Sequence, residues 1–373
     1  MANRVSLSRL KLGNFRNYES LALDLDARHV VLTGDNGSGK TNLMEAVSFL
    51  SPGRGLRRAA YGDVSRVGGD GGFTVFAELE GMEGNVEIGT GTDAGEDSQS
   101  RRLRLNGTQA RTVEELLDHC RVLWLTPAMD GLFTGTSSDR RRFLDRLVLS
   151  LDAEHGRRVA DFERAMRSRN RLLSEPGADP VWLTGLEKQM AELGVAMAVA
   201  RREMLGLLAA LIERRPQETP FPTASLTLSG FMDAHAGPAF ELEDAYLEAL
   251  RSGRYRDAAA GRTLEGPHRS DLVVRHREKS MEAERCSTGE QKALLVGLIL
   301  AHAQLVADMT GFAPLLLLDE IAAHLDEGRR AALFDLIDAI GGQAFMTGTD
   351  SAMFAALGDR ARFLAVANGT VSG

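Results

Sequence analysis

The sequence predicts an α/β protein: a mixed sheet flanked by helices, an antiparallel meander, and an inserted helical arm domain. Three observations carry that expectation. The apolar strand His29-Val-Val-Leu-Thr33 runs straight into a glycine-rich turn and then a helical pattern. Strand and helix patterns alternate again through the last quarter of the chain. Between these regions Leu186, Met190, Leu193, Met197, Ala200, Met204, Leu207 and Leu211 recur at steps of four and three, the spacing of a coiled-coil seam.

Taken in order, Val5–Phe15 and Leu21–Leu32 alternate polar and apolar residues and read as two strands joined by the turn Asn14–Tyr18. A helix is expected from Thr41 to about Leu50. Phe73–Leu79, Val86–Ile88 and Leu103–Leu105, separated by glycine and acidic loops, read as the meander. Residues 140–173 read as one helix, and the seam follows the turn Glu175-Pro-Gly-Ala-Asp-Pro180. Two such helices fold back either as an antiparallel arm of roughly 45 Å or as ordinary core helices. Leu226–Leu228, Leu272–His276, Leu315–Leu318 and Ala344–Thr347 are further strands, with helices at Leu242–Leu250, from about Glu290, and near Arg329–Ile340. The expected division is an N-terminal part over 1–125, a helical arm over 126–225 and a C-terminal part over 226–373.

Composition narrows the function classes. The 373 residues leave room for two or three structural units, and 43% hydrophobic with 26% charged residues is a globular balance. Two cysteines, Cys120 and Cys286, cannot make a disulfide framework or a four-ligand zinc site, and suit a reducing cytoplasm. The apolar run Ala293–Ala301 is nine residues, half of what crosses a bilayer. A net charge of −8 excludes indiscriminate coating of nucleic acid. Arginines nevertheless cluster at 54–66 and 140–171. These are either local phosphate contacts, with Arg54, Arg57, Arg58, Arg140, Arg141 and Arg142 as candidates, or solvated helix faces.

The chemistry begins at Gly34-Asp35-Asn36-Gly37-Ser38-Gly39-Lys40-Thr41, which matches G-x-x-x-x-G-K-[ST] between a strand and a helix. Glycines let backbone N–H groups close around phosphate oxygens, and the helix N-terminus adds its dipole. Lys40 would reach the β- and γ-phosphates of ATP, and the Thr41 hydroxyl would bind Mg2+. The four leucines of Leu315–Leu318 make a strand buried on both faces, placing Asp319 at its carboxyl end. Asp319 would hold Mg2+ through a water, and Glu320 would orient and deprotonate the attacking water.

Cys286-Ser287-Thr288-Gly289-Glu290-Gln291-Lys292 opens a helix, with Ser287 and Glu290 spaced as a capping box. Serine, a small residue, glycine and an acid or amide just before a leucine-rich Asp-Glu strand is the order found in ATP-binding-cassette ATPases. Ser287 and Gly289 are thereby candidates for the nucleotide site, as is Asp326 in the following Ala323-His324-Leu325-Asp326. The fold class becomes an ABC-type P-loop ATPase head.

Asn14-Phe15-Arg16-Asn17-Tyr18, the glycine loop, Arg141-Arg142-Phe143-Leu144-Asp145, Gly266-Pro267-His268-Arg269-Ser270-Asp271-Leu272 and the Ser287 segment keep one order along the chain. Together they resemble the RecF family of bacterial recombination mediators, relatives of the SMC and Rad50 ATPase heads. The resemblance implies a cytoplasmic, weak, DNA-stimulated ATPase that binds ATP, Mg2+ and DNA and forms a homodimer on ATP. It also implies action with RecR and RecO in loading RecA at gaps, with no membrane partner. Two departures stand out. Pro127-Ala-Met-Asp130 replaces the family's Pro-Glu-Asp-Leu, leaving Asp130 as the candidate for a Q-loop-like role, and His324 replaces a glutamate. The absence of a switch histidine after Ala344–Thr347 agrees with the family's use of threonines there. The Gly266–Leu272 block reads equally as chemistry or as a turn entering a strand. A transporter ATPase subunit would share the ATP motifs, but Lys40 and Ser287 lie 247 positions apart, much farther than in such subunits. A short SMC- or Rad50-like structural ATPase is the other alternative.

Overall fold

The computed structural model describes residues 4–81, 84–95, 100–177, 179–214, 220–235, 237–367 and 369–373, with His324 described by its backbone alone. The chain forms two compact units. One comprises Met1–Asp130, Glu218–Phe221 and Leu295–Gly373, the other Gly131–Gln217 and Pro222–Leu294.

The first unit contains two six-stranded sheets. The meander runs in the spatial order Tyr18–Asp24, Ser6–Phe15, Phe73–Gly81, Gly84–Thr92, Arg102–Leu105 and Thr108–Gln109, antiparallel throughout. The second sheet runs Thr370–Ser372, Ala361–Ala367, His29–Thr33, Ala344–Gly348, Leu315–Leu318 and Val122–Leu125. All of its neighbours are parallel except the terminal hairpin. Its central strands are buried on both faces, which explains their unbroken apolar sequences. The helix Lys40–Ser48 packs Leu43, Met44 and Val47 into the core shared with Phe15 and Phe73. Phe15 meets Phe49 edge-on at 5.9 Å and Phe73 at 5.6 Å.

The expected strand Leu21–Leu32 is two strands in two sheets. Asp26 accepts the Arg28 amide at 3.0 Å, an Asx-type turn that redirects the chain from the meander into the parallel sheet. The helix expected over 140–173 is likewise broken, into Ser137–Leu149 and His155–Ser174. Ser150 bonds the Leu147 carbonyl at 2.7 Å and Asp152 accepts the Glu154 amide at 3.1 Å, so local side chains take over backbone groups at the break.

The second unit extends beyond the expected boundary at 225. The strand Ala224–Ser229 pairs with Asp271–His276, and the helix Ala239–Ser252 packs on the long helix Pro180–Arg214. Ser287 and Gly289 therefore fold with the helices rather than with the parallel sheet. The long helix starts at a proline, with the Asp179 carboxylate accepting the Val181 amide at 2.8 Å. Its buried stripe is Leu183, Glu187, Met190, Gly194, Met197, Arg201, Met204, Leu208 and Ile212. The expected seam is thus shared in part. Leu207 lies 40% exposed, and the helix packs against Ser137–Leu149, His155–Ser174 and Ala239–Ser252 rather than against one partner. The core-helix alternative describes it, not a two-stranded arm.

One charged position on that stripe explains motif residues, and another anchors a buried ion-pair set. Arg201 holds Asp145 at 2.8 and 2.9 Å and the Pro267 carbonyl at 2.7 Å, tying the Arg141–Asp145 block to the Gly266–Leu272 block. Fully buried Glu187 meets Arg169 at 3.1 Å, and Arg169 also bonds Asp257 at 2.7 Å. Removing one member of such a buried set costs about 3–5 kcal/mol. Gly266 sits at φ 131, where a Cβ would lie 2.1 Å from the Tyr246 hydroxyl oxygen. His268 is packed on Phe162 and bonded to the Thr263 carbonyl at 3.0 Å. This block is a turn built for packing.

Burial drives the His268 imidazole down to about 4, against the raising effect of its bond to Thr263. The unfolded chain therefore binds the extra proton between pH 6.5 and 4, and stability falls as pH falls through that window. The full shift corresponds to about 3 kcal/mol. Thermal unfolding followed at pH 7 and pH 4.5 is expected to show the loss in wild type. A His268→Asn variant, which cannot take the proton, should lose less over the same range.

Candidate nucleotide site and its surroundings

The glycine loop leaves the carboxyl end of His29–Thr33, a central strand of the parallel sheet. Gly39 has φ 115, and a Cβ there would lie 2.6 Å from the Asn17 amide nitrogen and 2.8 Å from the Tyr18 hydroxyl. A Cβ at Gly34, φ 147, would meet the Val366 carbonyl oxygen at 2.2 Å. The loop is thus pressed against the chain behind it, while Asp35, Asn36 and Gly37 stay exposed.

What presses on it is the turn that carries Asn14–Tyr18. Asn14 and Arg16 are both left-handed, φ 49 and 55. The Tyr18 hydroxyl, pushed up to about 12 by burial, donates to the Gly39 carbonyl at 3.0 Å. Arg16 grips the fully buried Glu45 through two bonds of 2.8 and 2.7 Å, fixing the turn to the helix that starts at Lys40. Asn17 accepts a bond from Asn42 at 2.7 Å. Sequence reasoning did not single out Glu45, whose acidic character gives no hint of its burial.

Lys40 is 6% exposed and its ammonium donates to the Gly34 and Asp35 carbonyls at 2.6 and 2.8 Å, folded over the loop where phosphate oxygens would accept instead. The Ser38 hydroxyl oxygen is buried in the loop without a hydrogen-bond partner among the described residues. A glycine-lined cradle, a lysine and an orphaned hydroxyl fit the polyphosphate of ATP. Thr41 donates to Asp319 at 3.1 and 3.2 Å, so hydroxyl and carboxylate form the oxygen pair that Mg2+ prefers.

Asp319 sits at the end of Leu315–Leu318, 6% exposed. It also accepts the Thr347 hydroxyl at 2.7 Å, and that hydroxyl accepts the Glu320 amide at 2.8 Å. Glu320 is held left-handed at φ 52 and ψ 27, a conformation that costs a non-glycine residue about 1–3 kcal/mol. Thr347 was read in the sequence only as the end of a strand. Asp326 caps the helix Glu327–Ile340 by accepting the Arg329 amide at 2.8 Å. His324 has its side chain outside the described residues.

In the second unit the helix Thr288–Thr310 begins with the expected capping box. The Ser287 amide donates to Glu290 at 3.0 Å, and the Glu290 amide reaches the Ser287 hydroxyl at 3.4 Å. A hydrogen bond from Lys279, then those from Ser287, hold the Glu290 carboxyl down at about 2. Ser287, Thr288 and Gly289 are exposed at this helix start. From Gln291 to Ala303 every residue of the helix is buried. The helix is long and apolar enough to cross a membrane by length and composition, with 72% of its apolar window buried inside the fold.

The arginine candidates divide. Arg140 makes a bidentate pair with Asp271 at 2.8 and 2.7 Å and bonds the Gly135 carbonyl at 2.8 Å. Arg141 bonds the Ser270 carbonyl at 2.8 Å. These two brace the second unit and are not open phosphate contacts, which corrects the expectation for them. Arg142 is 46% exposed beside Asp139. Arg54 and Arg58 are exposed, Arg54 lying over the Tyr61 ring at 5.9 Å. Arg57 reaches back to Glu45 at 2.9 Å. Behind this segment Arg101, pulled down to about 10 by burial, bonds the Ser51 carbonyl at 2.9 Å and the Gly53 carbonyl at 3.1 Å.

Residues 6–372 match the family described as RecF/RecN/SMC N terminal domain. The chain is 74% identical over 374 residues to the DNA replication and repair protein RecF of Rhizobium meliloti (strain 1021), covering all of both chains. It is 72% identical to the protein of that name from Agrobacterium fabrum (strain C58 / ATCC 33970), again over all of both. Among solved structures, the recombination mediator protein RecF-ATP in the RecFOR pathway superposes with a TM-score of 0.86 at 21% identity, covering 100% of this chain and 98% of that one. The Smc head domain derived from Pyrococcus furiosus superposes with a TM-score of 0.53 at 16% identity, covering 99% and 95%. These solved structures share the fold, an ABC-type ATPase head, and by its full-length sequence identity the chain belongs to the RecF family.

Proposed function

We propose that this protein is an ATP-switched DNA-binding protein of recombinational repair; its relatives are named DNA replication and repair proteins. The observation that carries the reading is the meeting of Lys40, Thr41, Asp319 and Glu320 at the carboxyl edge of one parallel sheet. Bound with Mg2+, ATP supplies the phosphoanhydride bond whose cleavage resets the switch. The loop amides and Lys40 bind the phosphates, Thr41 and Asp319 hold the cation's oxygen shell, and Glu320 takes the proton from the attacking water.

Ser287 and Gly289 start a helix in the second unit and are exposed, so they are available to a nucleotide held by another copy of the chain. A homodimer closed by ATP, and released when the γ-phosphate leaves, follows from sites shared in this way. Arg54, Arg57, Arg58 and Arg142 are the remaining candidates for DNA phosphates, Arg57 on leaving Glu45 and Arg142 on leaving Asp139. The family resemblance supports a weak, DNA-stimulated ATPase working in the cytoplasm with RecR and RecO to load RecA at gaps.

Light scattering with ATP, ADP and no nucleotide tests the switch. Lys40→Ala is expected to lose nucleotide binding and dimers. Glu320→Gln should keep ATP-dependent dimers while turnover drops by about 10²–10⁴-fold, the usual worth of a positioned base. Mixing a Lys40 variant with a Ser287 variant should restore up to one working site per heterodimer; no recovery alongside an active wild-type monomer would overturn the shared-site reading.

The DNA assignment is tested by the salt dependence of binding. Reversing Arg54, Arg58 and Arg142 to glutamate should reduce the slope of log affinity against log salt by roughly 2–3. Arg140→Glu should instead unfold the second unit, seen as a lowered Tm, because it leaves Asp271 facing a like charge.

A further inference from the structure

We infer that Thr347 is a positioning residue for Glu320: its hydroxyl pins the Glu320 backbone in the left-handed conformation from which the carboxylate acts. This rests on the proposed role of Glu320 as general base. Thr347 is fully buried within the strand Ala344–Gly348, where it stands in register with Leu32 of the strand that feeds the glycine loop. The adjacent Met346 is in register with Leu318, the last residue before Asp319. The strand itself is therefore held on both sides, and its side chain is a fixed point between the two catalytic edges.

The direction of the bonds follows from their chemistry. An amide N–H cannot accept and a carboxylate cannot donate, so the one hydroxyl proton of Thr347 goes to Asp319, at 2.7 Å, and its lone pair receives the Glu320 amide, at 2.8 Å. Asp319 keeps a second anchor in the Thr41 hydroxyl at 3.1 Å, whereas among the described residues the Glu320 amide is held by the Thr347 oxygen alone. A glutamate at φ 52 and ψ 27 lies outside the conformations that a Cβ favours. Without the bond at its amide, Glu320 relaxes to negative φ, which swings its Cα–Cβ direction and carries the carboxylate away. Serine preserves both bonds. Valine, of the same shape, preserves neither.

The test uses the full chain. Thr347→Val and Thr347→Ser are compared for ATP turnover, for affinity toward the fluorescent analogue mant-ATP, and for hydrogen exchange at the Glu320 amide. Thr347→Val is expected to lower kcat at least about tenfold while mant-ATP affinity stays within about twofold. Its Glu320 amide should exchange faster, and Thr347→Ser should restore both readouts. A Thr347→Val protein with wild-type kcat or unchanged exchange overturns the inference. Should valine unfold the chain, Thr347→Cys, with its weak hydrogen bonding, takes its place against serine with the same two outcomes. Glu320→Gln run in parallel separates the two ideas. Undiminished turnover there removes the general-base reading itself, while a normal loss there beside an active Thr347→Val removes only the pinning role.

Discussion

A carboxylate buried at the end of an apolar strand has to be met by donors, and Asp319 is that carboxylate. It lies 6% exposed behind four leucines, with Thr41 from the helix of the glycine loop on one side and Thr347 from the neighbouring strand on the other. An unsatisfied charge in such a place would cost more than the strand's packing returns. The register of two strands and the start of one helix are consequently coupled to one side chain. The arrangement suits a cation site for the same reason, since the oxygens that satisfy each other in this chain are hard ligands of the kind magnesium takes.

The glycine loop depends on a second set of contacts, from behind. Glycines at 34 and 39 allow the chain to pass where any side chain would strike Val366, Asn17 or Tyr18. The Asn14–Tyr18 turn is held in place by the Arg16 fork on buried Glu45. The turn's sequence is therefore a structural complement of the loop, which explains why the two motifs accompany each other in this chain without assigning the turn any chemistry of its own.

Much of this was legible before the structure. The glycine loop, the leucine strand with its acids and the capping box each carry a local signal: a spacing, a run, or a cap followed three residues later by its partner. The meander was legible because alternation survives wherever one face of a sheet is wet. What could not be read depends on contacts distant in sequence. Thr347 and Glu45 become important only through Asp319 and Arg16. Arg140 looked like any arginine in a basic run until Asp271 closed on it. The long helix misled because a four-three repeat records that a helix is apolar on one side, not how many neighbours share that side. Glu187 and Arg201 sit on the buried stripe and break the apolar pattern just where it matters. The boundary at 225 failed because the strand Asp271–His276 returns to pair with Ala224–Ser229, a pairing that no local pattern announces.

The parallel sheet also imposes an order of birth. Val30 finds its two neighbours in Phe345 and Arg362, which are synthesised long after it. The second unit is synthesised in between and contains its own core around Phe162, Met190 and Tyr246. On the ribosome the inserted unit can settle while the strand leading to the glycine loop still lacks both flanks. Competence to hold a nucleotide thus waits until both flanking strands have emerged, and a chain interrupted before them is born unable to grip one.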